Sequence, residues 1–230
     1  MKKLLIIILS ISVLGGCRYR TGSGNIVTEK RNTGSFTGIS VGGGFDVEIR
    51  TGPLEVLVES DDNVIKYIVT KVADGQLKIK LDNIHLHHAH LKVYVTAPEI
   101  NNINSSASAN VESKDVLKSV ESVQLHSSSG GEIKAALDAP EIIANASSGG
   151  ELHLSGRTRN FKATSSSGSS IDAKELLSEN TTVKVSSGAS ADVHASLILD
   201  ATASSGGNVT YRGSASVRKS VSSGGEVEKE

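Results

Sequence analysis

From about residue 120 onward, apolar and polar positions alternate in short runs, and the runs recur at a near-constant interval. The natural zero is the glycine of each Ser-Ser-Gly triplet: Gly130, Gly149, Gly168, Gly188, Gly206 and Gly224, spaced 19, 19, 20, 18 and 18 residues apart. Seven residues before each stand Val123, Ile142, Phe161, Thr181, Leu199 and Val217; three after stand Ile133, Leu152, Ile171, Ala191, Val209 and Val227. The positions five before and five after are apolar too, except Lys219 and Lys229 in the last copy. Residues between these, such as His126, Lys134 and Asp172, are mostly polar. Period-two alternation marks a half-buried strand. Each repeat therefore predicts two short strands joined at a Ser-Ser-Gly corner. Helical-pair repeats need about 33–47 residues, and glycine costs a helix interior about 1 kcal/mol relative to alanine. One strand pair cannot bury its apolar face alone. Coils stacked about 4.8 Å apart can, because equivalent side chains form a continuous inner column. The pattern predicts an all-β, parallel β-helix or solenoid with 18–20 residues per coil in the C-terminal half. The six glycines supply positive φ at the corners, and the serines stack there and bond neighbouring backbone.

Residues 36–100 alternate more regularly and carry less serine, whereas 101–230 hold the repeat coils. Phe36–Val41, Phe45–Arg50, Leu54–Glu59 and Leu91–Ala97 read as strands, and Lys71–Leu81 reads as a hairpin about Asp74-Gly75. The segment Asp61–Ile68 is the best helix candidate, about two turns long, with carboxylates at its start.

Only seven residues are aromatic and none is tryptophan, which suits thin layers of Val, Ile, Leu and Ala. The net charge of −1 provides no global field toward nucleic acid. The N-terminus changes the picture more. Met1-Lys2-Lys3 precedes an apolar run from Leu4 to Leu14, then Gly15-Gly16 and the single cysteine, Cys17. Eleven residues are too few to span a bilayer, which needs about 20, so 1–16 read as a secretory signal peptide. Leu14-Gly15-Gly16-Cys17 resembles the lipobox of bacterial lipoproteins. That resemblance implies cleavage before Cys17 and a diacylglyceryl thioether on its sulfur, hence a partner in the membrane. Arg18 stands where Asp would favour inner-membrane retention, so the outer membrane is expected, with the periplasmic and outer faces both open. Residues 17–35, polar and rich in Gly, Ser, Thr and Asn, are expected to form a flexible tether.

Phe36-x-x-Ile39-x-Val41, Phe45-Asp46-Val47-x-Ile49, the Asp62-Asn63-x-Ile65 segment, Asp74-Gly75-x-Leu77 and the Ala97-Pro98 exit resemble the auto-transporter adhesin head GIN domain family. The Ser-Ser-Gly coils resemble its second half, so the likeness spans about 36–230. It implies a right-handed β-helix-like fold and an adhesin-like role. Ser106-Ala107-Ser108-Ala109 stands where the family often has a glycine corner, so an irregular junction coil is expected there.

Four histidines form the sharpest chemical cluster: His85, His87, His88 and His90. On an extended strand His85 and His87 share one face, and His88 and His90 the other. Two imidazoles with a third ligand such as Asp82 suit zinc or copper; the alternative is a solvated strand end. The Ser-Ser-Gly corners lack the following helix of a nucleophile elbow and the Gly-Lys-Ser/Thr of a phosphate loop. Glu132, Glu151 and Glu226 follow three corners and suggest a calcium column, but Asn208 and Ser190 interrupt it, which favours solvated charges. No residue pattern calls for a cofactor. The expected function is a non-catalytic, lipid-anchored envelope protein that binds an envelope or host glycan or protein, or serves a structural role. The alternatives are a glycan-active β-helix enzyme and a periplasmic metal-binding lipoprotein.

Overall fold

The computed structural model describes residues 19–82 and 84–230. The expected leader, residues 1–16, and the expected acylation site, Cys17, lie outside the described residues. The front half holds β1 (Tyr19–Thr21), β2 (Ile26–Lys30), β3 (Gly38–Gly42), β4 (Asp46–Thr51), β5 (Glu55–Asp61), β6 (Ile68–Ala73), β7 (Gln76–Leu81), β8 (His85–His87) and β9 (Leu91–Ala97). The repeat half holds β10 (Asn102–Ser106), β11 (Asn110–Lys118), β12 (Ser122–Ser128), β13 (Glu132–Ser147), β14 (Glu151–Ser165) and β15 (Ser170–Val185). It ends with β16 (Ser190–His194), β17 (Ile198–Ala203), β18 (Asn208–Arg212), β19 (Ser216–Val221) and β20 (Glu226–Lys229).

Two parallel ladders run the length of the molecule. The first joins β7, β3, β10, β12, the second halves of β13, β14 and β15, then β17 and β19. The second joins β9, β4, β11, the first halves of β13 to β15, then β16, β18 and β20. The chain passes from first ladder to second at each Ser-Ser-Gly corner, so it coils as a solenoid. Val123, Ile142, Phe161, Thr181 and Leu199 are buried in one inner column, and Ile133, Leu152, Ile171, Ala191, Val209 and Val227 in another. The alternation therefore reads the core correctly up to the last coil. There Val217 is exposed, and the Lys219 ammonium donates to the Val227 carbonyl at 3.4 Å.

Each corner is a turn with two left-handed residues. Ser129 and Gly130 have φ of 51° and 71°, and the Gly131 N–H donates to the Ser128 carbonyl at 2.9 Å. This is the primed type of turn, whose twist matches the flanking strands. Positive φ was expected of the glycine alone; the second serine shares it at all six corners. That conformation costs an L-residue roughly 1–2 kcal/mol. What opposes the cost is a ladder along the corners: Gly130, Gly149, Gly168, Gly188 and Gly206 donate N–H to Ser148, Ser167, Ser187, Ser205 and Ser223, at 3.1–3.3 Å. Ser106–Ala109 form the same turn, with Ala107 at 49° and Ser108 at 61°. The junction corner is thus regular. The irregularity lies in β11, whose register against β13 slips between Glu112 and Val116. A second slip, between His153 and Ser155 of β14, lets β15 absorb the extra residue of the 20-residue coil at Ala173–Lys174.

Antiparallel strands close the N-terminal end: β6 on β7, β5 on β9 and β2 on β5. The Asp74-Gly75 hairpin forms as expected. Two expectations are corrected here. The described part of the 17–35 tether carries β1 and β2, because its polar side chains and backbone find partners. Ser23 Oγ donates to Asp62 at 2.6 Å, and Asn63 Nδ2 donates to the Thr21 carbonyl at 2.9 Å. The Asp61–Ile68 helix shrinks to one 3-10 turn, Ile65–Tyr67. Its would-be capping carboxylates are engaged with the N-terminal segment, while Val64, Ile65 and Ile68 plug the end of the core.

Asp61 acts as the buckle. It is 2% exposed and accepts the Gly24 N–H at 2.7 Å and the His90 N–H at 2.8 Å. These bonds, that of His90 foremost, hold its carboxyl below the ordinary aspartate range. A depressed carboxyl stabilises the fold above the unfolded value of about 3.9, and the contribution is lost as pH falls from there through the folded value. Asp61→Asn should cost about 1.5–3 kcal/mol at pH 7. In urea titrations the gap between the two proteins should narrow by pH 3; an unchanged gap would contradict this account.

Candidate functional site

The four histidines do not converge. His85 and His87 lie on β8, exposed, and β8 pairs with β1. The Tyr19 ring stacks on His87 at 4.9 Å and sits 5.5 Å from His85. His88 is in a turn with φ of 48°, so the strict face alternation ends at it. His90 Nε2 bonds Glu59 at 2.7 Å. No three of them bring ligand atoms within 4.8 Å of one another; among the described residues only Glu132, Glu151 and His153 do so. The Lys134 ammonium, 2.7 Å from Glu132, already supplies positive charge to that trio.

The outward columns of the two ladders show what the net charge conceals. On the second ladder, one row reads Asp46, Asn110, Glu132, Glu151, Ser170, Ser190, Asn208 and Glu226. The next row reads Glu48, Glu112, Lys134, His153, Asp172, Asp192, Thr210 and Glu228. Nine of these sixteen positions are carboxylates and one is a lysine; β9 heads the two rows with Lys92 and Tyr94, and lysines pair with Glu48, Glu112, Glu132 and Asp172. On the first ladder the matching rows carry Lys78, Lys162, Lys184 and Arg218 against Asp200 alone, among Asn, Gln, Ser, Thr, His126, Gly38 and Ile143. The body is thus acidic on one sheet and mildly basic on the other. The second residue after each corner already reads as the Glu132, Glu151 and Glu226 column in the sequence; the fourth residue, read the same way, adds Asp172, Asp192 and Glu228.

A groove of about 280 Å³ on the acidic sheet is lined by Asp46, Glu48, Glu112 and Glu132 with Lys92 and Lys134. Lys92 lies 2.7 Å from Glu48 and holds its carboxyl below the usual range. Glu132, in turn, raises Lys134. Glycosidase acids need a carboxyl pushed upward. Glu48 is shifted the other way, because the Lys92 ammonium already pairs with it. A larger cleft, about 550 Å³, lies along the return side of the coils. There Arg157 grips Asp138 through two bonds, at 3.1 and 2.7 Å. The Ser178 and Thr181 hydroxyls bond each other, one donating to the other, and the second hydrogen is donated to the His194 carbonyl.

A family model described as "Putative auto-transporter adhesin, head GIN domain" matches residues 35–215. Among solved structures, a putative adhesin from Bacteroides fragilis NCTC 9343 superposes with a TM-score of 0.83 at 18% identity, over 92% of this chain and 100% of that one. A putative adhesin from Parabacteroides merdae ATCC 43184 gives 0.75 at 19%, over 93% and 100%. A protein from Parabacteroides distasonis ATCC 8503 described as a putative lipid binding protein gives 0.73 at 20%, over 93% and 100%. At these identities the likeness speaks for the fold. No curated protein matches the chain.

Proposed function

The chain belongs to the family of auto-transporter adhesin head GIN domains, and from that premise we propose a non-catalytic, lipid-anchored envelope protein that binds its partner through the acidic sheet. The observation that carries this reading is the row structure of that sheet: nine carboxylates gathered on two outward rows of one ladder, interrupted by neutral residues and several of them paired with lysine. A flat array of this kind meets a repeating or extended partner over many weak contacts, and complementary charge governs encounter and register. The partner it fits is a cationic glycan or protein surface. Anchoring follows from the lipobox-like Leu14–Cys17, with Arg18 favouring the outer membrane.

Two measurements test it. Cys17→Ser should move the protein from the detergent phase to the aqueous phase and remove the acyl mass from the mature N-terminus. A glycan and protein array should show salt-sensitive binding that falls about tenfold in Glu132→Gln/Glu151→Gln/Asp172→Asn. Unchanged binding in that variant would move the site off this sheet, and robust turnover of a polysaccharide would overturn the non-catalytic reading.

A further inference from the structure

The fold begins almost at the anchor. Two peptide units separate Cys17 from Tyr19, so their Cα atoms lie at most about 7 Å apart. Tyr19 is already part of β1, which is tied to the body through β8 and through the Asn63–Thr21 bond. A diacylglyceryl cysteine sits at the headgroup level because its chains fill the hydrocarbon layer. Given the lipid anchor proposed above, on which this step rests, β1 has no slack with which to leave the bilayer surface.

The surface around β1 has the chemistry of that position. Tyr19 is 60% exposed, and Arg20 and Lys66 are exposed. Both cations lie over the Tyr67 ring, at 5.2 and 5.4 Å. Tyrosines with an apolar body and polar tip, flanked by Arg and Lys, are the side chains that settle at a headgroup layer, and the cations meet phosphate. The nearby Asp62 is exposed, its carboxylate accepting hydrogen bonds from Ser23 Oγ and Asn25 Nδ2, and Arg20 and Lys66 outnumber it on this face. We infer that the N-terminal end of the solenoid is a membrane-docking face, and that the coils stand away from the phospholipid surface. With seven steps of about 4.8 Å from the Gly43–Gly44 corner to the Ser223–Gly224 corner, the last coil is carried roughly 34 Å outward.

The test uses the full, lipidated chain in vesicles of phosphatidylethanolamine and phosphatidylglycerol. Acylation consumes the native thiol, so one added cysteine can carry an environment-sensitive NBD dye. The exposed sites Lys66→Cys and Ser222→Cys mark the two ends. The dye at 66 should emit at shorter wavelength and be quenched by headgroup-proximal doxyl lipid at least about twofold more than the dye at 222. Equal quenching at both sites, or none at 66 in protein held by the vesicles, overturns the orientation while leaving the anchor intact. A chain that carries no acyl mass and stays out of the vesicles overturns the anchor, and this inference with it.

Discussion

Gly156→Ala should destabilise the protein by about 3 kcal/mol or more, although it adds one methyl group to a half-exposed position. Gly156 has φ of 107°, and a Cβ there would lie 2.1 Å from the Leu137 carbonyl oxygen and 2.9 Å from the Leu137 nitrogen. Leu137 and Gly156 are register partners in adjacent coils, so relief requires moving the backbone of one coil against the other. Gly149 gives the control. It is also left-handed, at φ of 72°, but a Cβ there meets nothing within 4 Å. Gly149→Ala should cost only the conformational term, about 1–2 kcal/mol. Urea unfolding of the three proteins distinguishes the cases, and equal losses at the two sites would refute the close-approach argument.

Phe161→Ala should cost about 3–5 kcal/mol, the range for emptying a buried aromatic site. Phe161 is 1% exposed and lies between Ile142 and Thr181 in the inner column. Its neighbour Thr181 is polar, its hydroxyl fixed by Ser178 and the His194 carbonyl, and cannot expand to fill the space. Repeat stacks communicate mainly through neighbouring coils. Hydrogen exchange should therefore accelerate across β13 to β17 while β3, β4 and β7 keep their protection. A uniform loss along the chain would show that the solenoid unfolds as one unit.

The coil was legible because its cause is local. A Ser-Ser-Gly corner every 18–20 residues fixes which side chains point inward, and the buried columns follow that index as far as Val209 and Val227. What could not be read depends on partners distant in sequence. The second corner serine adopts positive φ because a carbonyl ladder between coils rewards it, and propensity alone assigns that angle to glycine. Ala107 and Ser108 make the point without any glycine. Asp61 and Asp62 look like helix-starting carboxylates in a window of eight residues. In three dimensions they hold Ser23, Gly24 and Asn25, some 37–39 positions upstream. The same contacts turn an apparent linker into strands. The histidine cluster misled for a related reason: His88 turns the backbone, and Tyr19 occupies the face of His85 and His87. Of the candidate surface, the Glu132, Glu151 and Glu226 column was visible once the coils were indexed on their glycines, but the adjoining row of Glu112, Asp172, Asp192 and Glu228 on the same sheet was not grouped with it.

The bulge at Ala173–Lys174 bears on how such a chain can change length. A single inserted residue in a strand normally exchanges its inner and outer faces, here turning polar groups into a column of Val, Ile and Leu. At the bulge the extra residue is shed sideways, and Glu175–Val185 return to register with β14. The return segment between the two ladders also absorbs single residues, having six in the coil at 136–141 and five in the coil at 194–198; within the strands of the ladders a tolerated duplication or deletion must comprise one whole coil, corner to corner. Gain or loss of such a unit would lengthen or shorten the body in steps of about 4.8 Å while leaving the N-terminal cap untouched.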